Sequence, residues 1–326
     1  GITMSQVVKT AVVGVGSLGR HHARIYHELP GVKLKGVVDI LPERSKEVAN
    51  SYGCKSFCDF RELIGLVDAV SLAVPTVLHA QLGSQLLESG VHVLVEKPIS
   101  HTLEGADKLI SAQRTSGKVL HVGHTERFNP AVTALAPYVS HPLFFEGHRL
   151  GIFVQRSLDV DVVLDLMIHD LDLVLSLVKA PLVEIRSSGV PVLTKRIDIA
   201  NARLEFKNGC VANLTASRVS NEKIRKLRFF QPGQYISLDF RKREAEVFGL
   251  VSAKGEKKIQ YQIVKGEPLE PLRAEISSFL NCVRGEKQTV WPGPCGVNQG
   301  RAALEVGLTL LAEIRKSLNA PDFGVS

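Results

Sequence analysis

Three groups of residues in this 326-residue chain carry types and spacings suited to chemistry. Gly14-Val15-Gly16-Ser17-Leu18-Gly19 follows a β-branched apolar run and opens a helical pattern, the context that makes a glycine triplet a dinucleotide-phosphate turn. Gly14 permits the tight turn, Gly16 lets a pyrophosphate approach the backbone, and Gly19 lets the helix lie close to the strand. Asp39 stands 20 residues past Gly19, at the end of the next apolar run. A carboxylate there accepts both ribose hydroxyls and repels a 2′-phosphate, which favours NAD over NADP; Arg44 softens that preference if it folds back.

The second group is Glu96-Lys97-Pro98, directly after the apolar run 91–95. Open α/β sheets bind ligands at the ends of such strands, so Lys97 is placed to reach a substrate hydroxyl. As an ammonium it holds an alcohol oxygen and stabilises developing alkoxide; partly buried, it could act as the base. A surface lysine paired with Glu96 is the bland alternative. The third group is the helix 162–173, where Asp165 and His169 are i and i+4 and therefore neighbours on one face, with Asp172 a turn further along. His169 could take a proton near neutrality while Asp165 orients it or binds substrate; a satisfied core or interface histidine is the alternative. Asp and His are also metal-ligand types, but hydride transfer to NAD needs no metal and no spacing demands one.

Strands and helices must carry these groups. Residues 10–16 and 33–39 read as strands flanking a helix in which Leu18, His22, Ile25 and Leu29 recur at helical spacing. Further strands at 67–74, 91–95 and 119–122 alternate with helices near 80–87 and 104–113, making six parallel strands by residue 124 plausible. The pattern then changes: one apolar helix over 162–177, strand-like runs at 200–206, 211–217, 227–231 and 235–240, turns at Asn208-Gly209 and Pro232-Gly233, and helices near 273–283 and 301–317. The expectation is an α/β chain. A parallel doubly wound dinucleotide-binding domain occupies 4–125, and an α+β substrate-binding domain on an open, mostly antiparallel sheet occupies 126–326, with the last helix free to pack back on the first domain.

Composition narrows the classes. With 44% hydrophobic and 22% charged residues the chain can bury sizeable cores, which argues against disorder. A net charge of +7 suits an anionic small molecule as well as nucleic acid. Nucleic-acid binding would need basic residues interleaved with aromatics on a platform, and Arg228-Phe229-Phe230 with Tyr235 offers only a fragment. The basic run 223–228 reads either as a wall for a diphosphate or as a solvated strand edge. No apolar run reaches the ~20 residues of a membrane span. Five cysteines without a C-x-x-C pair make a reducing cytoplasm the simplest compartment, and Gly1-Ile2-Thr3 before Met4 reads as an expression scar.

Gly14-x-Gly16-x-x-Gly19, Glu96-Lys97-Pro98 and Asp165-x-x-x-His169-x-x-Asp172, in this order and at these separations, resemble the Gfo/Idh/MocA oxidoreductases over nearly the whole chain. The resemblance implies an N-terminal Rossmann domain, a C-terminal open sheet often used for homodimer or homotetramer formation, NAD as cofactor, and Lys97 with His169 at the sugar hydroxyl being oxidised. It also implies that Ser17, Leu18, Pro75, Thr76, His79 and Glu96 line the cofactor cleft, with a helix-start role for His79 as the alternative. The runs 121–130 and 165–172 are most similar to the branch that oxidises nucleotide-linked amino sugars, such as UDP-N-acetylglucosamine, at C3 and so supplies 3-amino sugars for lipid A-type acylation. Arg127 and Asn129 could there bind hydroxyls or phosphate, or else cap a helix and carry surface charge. Another sugar, a uronic acid or a cyclitol, and a non-catalytic dinucleotide-binding regulator stay open as alternatives. One departure stands out: many members have glycines before the Asp-x-x-x-His helix, where this chain has Asp159-Val-Asp-Val-Val163.

Overall fold

The computed structural model describes residues 6–155 and 160–319, so the Gly1-Ile2-Thr3 segment and Asp159 lie outside the described residues. Contacts divide the chain into two compact units: the residues up to Phe128 together with Leu269–Leu304, and Asn129–Pro268 together with the residues from Glu305 on.

The first unit opens with β1 (Val8–Val13), α1 (Ser17–Glu28), β2 (Val32–Val38), α2 (Pro42–Tyr52), β3 (Lys55–Phe57), β4 (Ala69–Leu72), α3 (His79–Glu88), β5 (His92–Glu96), α4 (Leu103–Ser116) and β6 (Leu120–Gly123). These six strands are all parallel, in the order β6-β5-β4-β1-β2-β3, so the chain reverses direction across the sheet between β1 and β4. Helices cover both faces of such a sheet, which is why Ala69–Leu72 and residues 93–96 are buried without alternation. Residues 55–57, a short strand with little apolar signal, complete the six.

In α1 the buried residues are Gly19, His22, Ala23, Ile25 and Tyr26. Leu18, expected on the packed stripe, is 46% exposed. It sits in the first helical turn, past the end of β1, where no sheet lies beneath it.

Two histidines of this sheet are held neutral. The amide of Val119 donates to His92 Nδ1 at 2.9 Å, and burial followed by the nearby Lys118 pushes the His92 pKa down to about 4. Burial alone does the same to His121, whose ring meets Phe279 edge-on at 5.8 Å. An unfolded histidine titrates near ~6.5, so as pH falls below that value the unfolded chain binds protons that the folded chain refuses. Stability is therefore expected to fall with pH between ~6.5 and about 4. In denaturant titrations at pH 7 and pH ~4.5, His121→Leu should lose ~2 kcal/mol less than the parent; equal losses would exclude His121 as a source.

The second unit contains α5 (Pro130–Thr133), β7 (Phe144–Ile152), a wide π-helical turn (Val163–Met167) leading into α6 (Ile168–Leu177), and then β8 (Leu182–Val190), β9 (Ile199–Phe206), β10 (Val211–Ser220), β11 (Ile224–Gln231), β12 (Gln234–Asp239), β13 (Glu244–Ala253) and β14 (Glu256–Val264). Their order is β14-β13-β12-β11-β7-β10-β9-β8, antiparallel throughout except where β7 and β10 run parallel. Asn208-Gly209 and Pro232-Gly233 make the hairpin turns, both glycines at positive φ. Along β11, Leu227, Phe229 and Gln231 are buried while Arg225, Lys226 and Phe230 are exposed, so one sheet face is packed and the other is open. On the packed face Phe145 meets Phe229 at 5.3 Å.

Asp198 and Arg218 lock one end of this sheet. Arg218 Nε donates to Asp198 at 2.7 Å, and Asp198 also accepts the amides of Val192, Leu193 and Thr194 and the Thr194 hydroxyl. Burial opposes ionisation of Asp198, but these donors outweigh it and hold the carboxyl far below the usual range.

The chain then returns to the first unit with α7 (Pro271–Val283) and β15 (Cys295–Gly296), which pairs antiparallel with β6, and finishes with α8 (Val297–Leu318), divided between the units at Leu304. Ile276, Phe279, Leu280 and Val283 of α7 join Val8, Val12, Ile25 and Tyr26 in one buried cluster.

Candidate active site

The dinucleotide turn is built from three differently constrained glycines. At Gly14, φ is +88° and an added Cβ would lie 2.4 Å from the Ala73 carbonyl oxygen. At Gly19 a Cβ would fall 1.8 Å from the Gly14 carbonyl oxygen, so the helix sits directly on the turn. At Gly16 a Cβ would meet nothing closer than Arg44 Nη1 at 3.8 Å. That free space is what a phosphate needs at the first turn of α1.

Gly14, Gly16, Asp39, Arg44 and Pro75 line one cavity of about 730 Å³, with Arg61 at its rim. Asp39 is fixed before any ligand arrives: Oδ2 accepts the Val15 amide at 3.1 Å and Oδ1 the Leu41 amide at 2.9 Å. Arg44 does fold back, its Nη1 standing 3.5 Å from Asp39 Oδ2. The cavity, the open Gly16 and the oriented carboxylate fit an adenosine diphosphate moiety. Ser17 and Leu18 are exposed at the start of α1, and Thr76 is half-buried at the start of a short 3₁₀ turn.

Two residues expected at the cofactor turn inward instead. His79 is 1% exposed, with Nδ1 2.9 Å from the Pro98 carbonyl oxygen and Nε2 3.0 Å from that of Val74. It braces the loops after β4 and β5, close to the helix-start alternative. Burial lowers its pKa, and the two carbonyls oppose that shift. Glu96 points into the core, where its Oε1 meets His22 Nε2 at 2.6 Å. Lys97, half-buried, follows at the strand end and is joined to Pro98 by a cis bond.

Asp165 and His169 are both half-buried, whereas Met167, Ile168, Asp170 and Asp172 are buried. Leu164 and Leu166, on either side of Asp165, are half-buried as well. The sequence did not announce that Asp165 lies in a π-helical turn, a distortion that often accompanies functional sites. Asp161 caps this element, its Oδ1 accepting the Val163 and Leu164 amides at 3.0 Å each. A capping aspartate thus stands just ahead of the helix, in the stretch where many family members carry glycines. Next to His169, Asp170 forms a buried two-point pair with Arg149 (3.0 and 2.9 Å), whose guanidinium also lies over Phe240 at 4.9 Å. This pair anchors α6 to the sheet.

Arg127 is 2% exposed and its Nη1 donates to the Pro294 carbonyl. Asn129 is also buried and uses its side chain as a cap, accepting from the Ala131 amide and donating to the Phe240 carbonyl, each at 3.0 Å. The capping alternative therefore describes Asn129. His22, Ser71 and Tyr26, all buried and polar, were missed as site residues. The available signal was a histidine inside an apolar helical stripe.

A parallel doubly wound sheet with this turn, acid and cavity defines a dinucleotide-binding oxidoreductase. Residues 8–124 match the Gfo/Idh/MocA oxidoreductase family with NAD-binding Rossmann fold, and residues 133–234 match the family's C-terminal domain. The chain is 38% identical over 312 residues, 95% of its length and 99% of the relative's, to UDP-N-acetylglucosamine 3-dehydrogenase of Acidithiobacillus ferrooxidans. A solved structure of that enzyme superposes with a TM-score of 0.88, 37% identity, and coverage of 96% of this chain and 99% of the other. The NAD-dependent scyllo-inositol 2-dehydrogenase of Bacillus subtilis is 28% identical, with 67% of this chain and 69% of the relative covered. A levoglucosan dehydrogenase bound to NADH and levoglucosan shares the fold at 18% identity and a TM-score of 0.79, covering 95% of this chain and 97% of that one. The chain belongs to the Gfo/Idh/MocA oxidoreductase family.

Proposed function

We propose that this enzyme oxidises the C3 hydroxyl of UDP-N-acetylglucosamine to the 3-keto sugar, with NAD as acceptor. The observation that carries the reading is the end-to-end likeness to the Acidithiobacillus ferrooxidans enzyme, in a chain that has both Lys97 and His169. Lys97 holds the C3 oxygen and stabilises the charge that develops on it, His169 takes its proton, and Asp165 orients the imidazole or the sugar. Bound NAD supplies the hydride acceptor. Asp39, oriented by two amides, receives the ribose hydroxyls and favours NAD, while Arg44 at its side softens the discrimination against a 2′-phosphate. Arg127 and Asn129, held by the Pro294 and Phe240 carbonyls within their own units, are the further candidates for contact with the sugar.

The 3-keto product is a fit substrate for an aminotransferase, and we infer a place for the reaction ahead of 3-amino sugar formation and lipid A-type acylation in the cytoplasm. No helix among the described residues is long and apolar enough to cross a membrane. We also infer a homodimer or homotetramer through the open sheet face. Phe144, Phe230, Tyr235, Phe248 and Tyr261 form a ladder across five strands there, with neighbouring ring centroids 4.8–5.9 Å apart. Ile259, Tyr261 and Ile263 extend the apolar surface along the edge strand.

The test is reduction of NAD in the presence of a panel of UDP-sugars, with a ketone trap or aminotransferase to draw off product. Reduced nicotinamide should form with UDP-N-acetylglucosamine. Formation only with another sugar keeps the chemistry and discards this substrate; none with any sugar, despite NAD binding, points to a non-catalytic regulator.

A further inference from the structure

Four buried polar side chains lie end to end behind Lys97. Tyr26 and His22 come from α1, Ser71 from β4 and Glu96 from the last position of β5. The Tyr26 hydroxyl is 2.8 Å from Ser71 Oγ, which is 2.7 Å from His22 Nδ1, and His22 Nε2 is 2.6 Å from Glu96 Oε1. Tyr26, His22 and Ser71 are 0% exposed and Glu96 is 7% exposed. One proton arrangement satisfies every donor: Tyr26 donates to Ser71, Ser71 to His22 and His22 to the Glu96 carboxylate. The reverse direction leaves the Tyr26 proton without an acceptor among the described residues.

Such a chain is costly to keep in a core, because each polar group left unpaired there loses its solvation without return and apolar residues of the same volume would pack at no such risk. Its placement indicates what it does. The Tyr26 end is fully buried and burial raises the Tyr26 pKa, so no proton leaves the chain through Tyr26. It can fix geometry. α1 begins at the dinucleotide turn, and Glu96 shares a peptide bond with Lys97. Gly123 on β6 makes the room: a Cβ there would lie 2.9 Å from Glu96 Oε2. His79, already engaged by two carbonyls, also feels Glu96.

We propose that His22, acting through Glu96, is a positioning residue for Lys97. It ties the helix that opens at the cofactor turn to the backbone step that carries the lysine, and it keeps the buried carboxylate from swinging toward the Lys97 ammonium. The proposal rests on the reading of Lys97 as the group that holds the substrate oxygen.

Two readouts on the full-length enzyme test it: steady-state kinetics, and the pH dependence of Lys97 acylation by acetic anhydride followed by mass spectrometry. His22→Leu should lower kcat ~100-fold, as a displaced catalytic group does, with KM and NAD affinity within ~3-fold of the parent. Its Lys97 acylation curve should move ~1 unit to higher pH, because the ammonium gains a carboxylate neighbour. His22→Gln, which retains a donor for Glu96, should recover ~10-fold of the rate, and Gly123→Ala, which pushes on Glu96 from the opposite side, should repeat the kcat-selective loss. Parental kcat and acylation curve in His22→Leu, or a loss that falls equally on NAD binding, overturns the proposal. If His22→Leu does not fold, parental behaviour of both His22→Gln and Gly123→Ala overturns it. Should the parent oxidise no sugar, the reading of function fails, and the acylation curve alone still decides whether His22 positions Lys97.

Discussion

Lys97→Ala and His169→Ala are each expected to lower kcat by at least ~100-fold while NAD binding stays close to that of the parent, because on the proposed mechanism each removes a group that acts on the reacting hydroxyl. Lys97 lies past the end of β5, outside the residues that line the adenosine cavity, and His169 belongs to the other unit. NAD titration followed by quenching of protein fluorescence, set beside steady-state turnover, separates the two quantities. The conservative variant divides the possible roles of the lysine. Arginine keeps the positive charge but does not give up a proton in proteins. Lys97→Arg should therefore retain part of the rate if the lysine only steadies the alkoxide, and fall as far as Lys97→Ala if it is the base. Turnover unchanged in both alanine variants would remove these residues from the reaction.

Two glycines three residues apart should respond to the same substitution in opposite ways. Gly19→Ala drives a methyl group to within 1.8 Å of the Gly14 carbonyl oxygen, a backbone atom that cannot rotate aside. Helix and turn must separate, and a shift of this kind costs ~3 kcal/mol or more. For a chain of this size that is a drop of ~5 °C in Tm, with NAD affinity lost as the turn opens. Gly16→Ala meets only open space, and its φ of −67° suits any residue. Its ligand-free Tm should stay near the parental value while NAD binding weakens, since the methyl group occupies the space a phosphate requires. Thermal melts without cofactor, paired with NAD titration, read both effects; equal Tm losses in the two variants would contradict this division of labour.

The parts that could be read from residue order were those governed by local rules. The glycine turn, the acid 20 residues on, the strand that ends at Lys97 and the Asp165/His169 spacing all follow from periodicity and turn chemistry. The eight-stranded sheet was only half legible. β7, β8, β13 and β14 were not marked, since an open sheet face mixes polar and apolar residues and blurs the alternation on which strand assignment depends. The parallel pairing of β7 with β10 depends on contacts far apart in sequence. For the same reason Glu96 and His79 looked like cofactor ligands: a carboxylate or imidazole beside a motif reads as functional until its partner from a distant helix or loop is known. For Asn129 the sequence left substrate contact and capping side by side, and the cap to Ala131 is the one the structure contains.

The return of α7 to the first unit bears on the order in which the chain can fold. Part of the cover of Val8 and Val12, namely Ile276, Phe279, Leu280 and Val283, is made some 260 residues after them. The six parallel strands can form in the meantime, but one apolar flank stays open until residues 129–268 of the second unit have been synthesised. A nascent chain of this protein therefore carries a sticky, unfinished Rossmann sheet while those residues are translated, and its completion is a long-range closure rather than the folding of residues 8–128 alone.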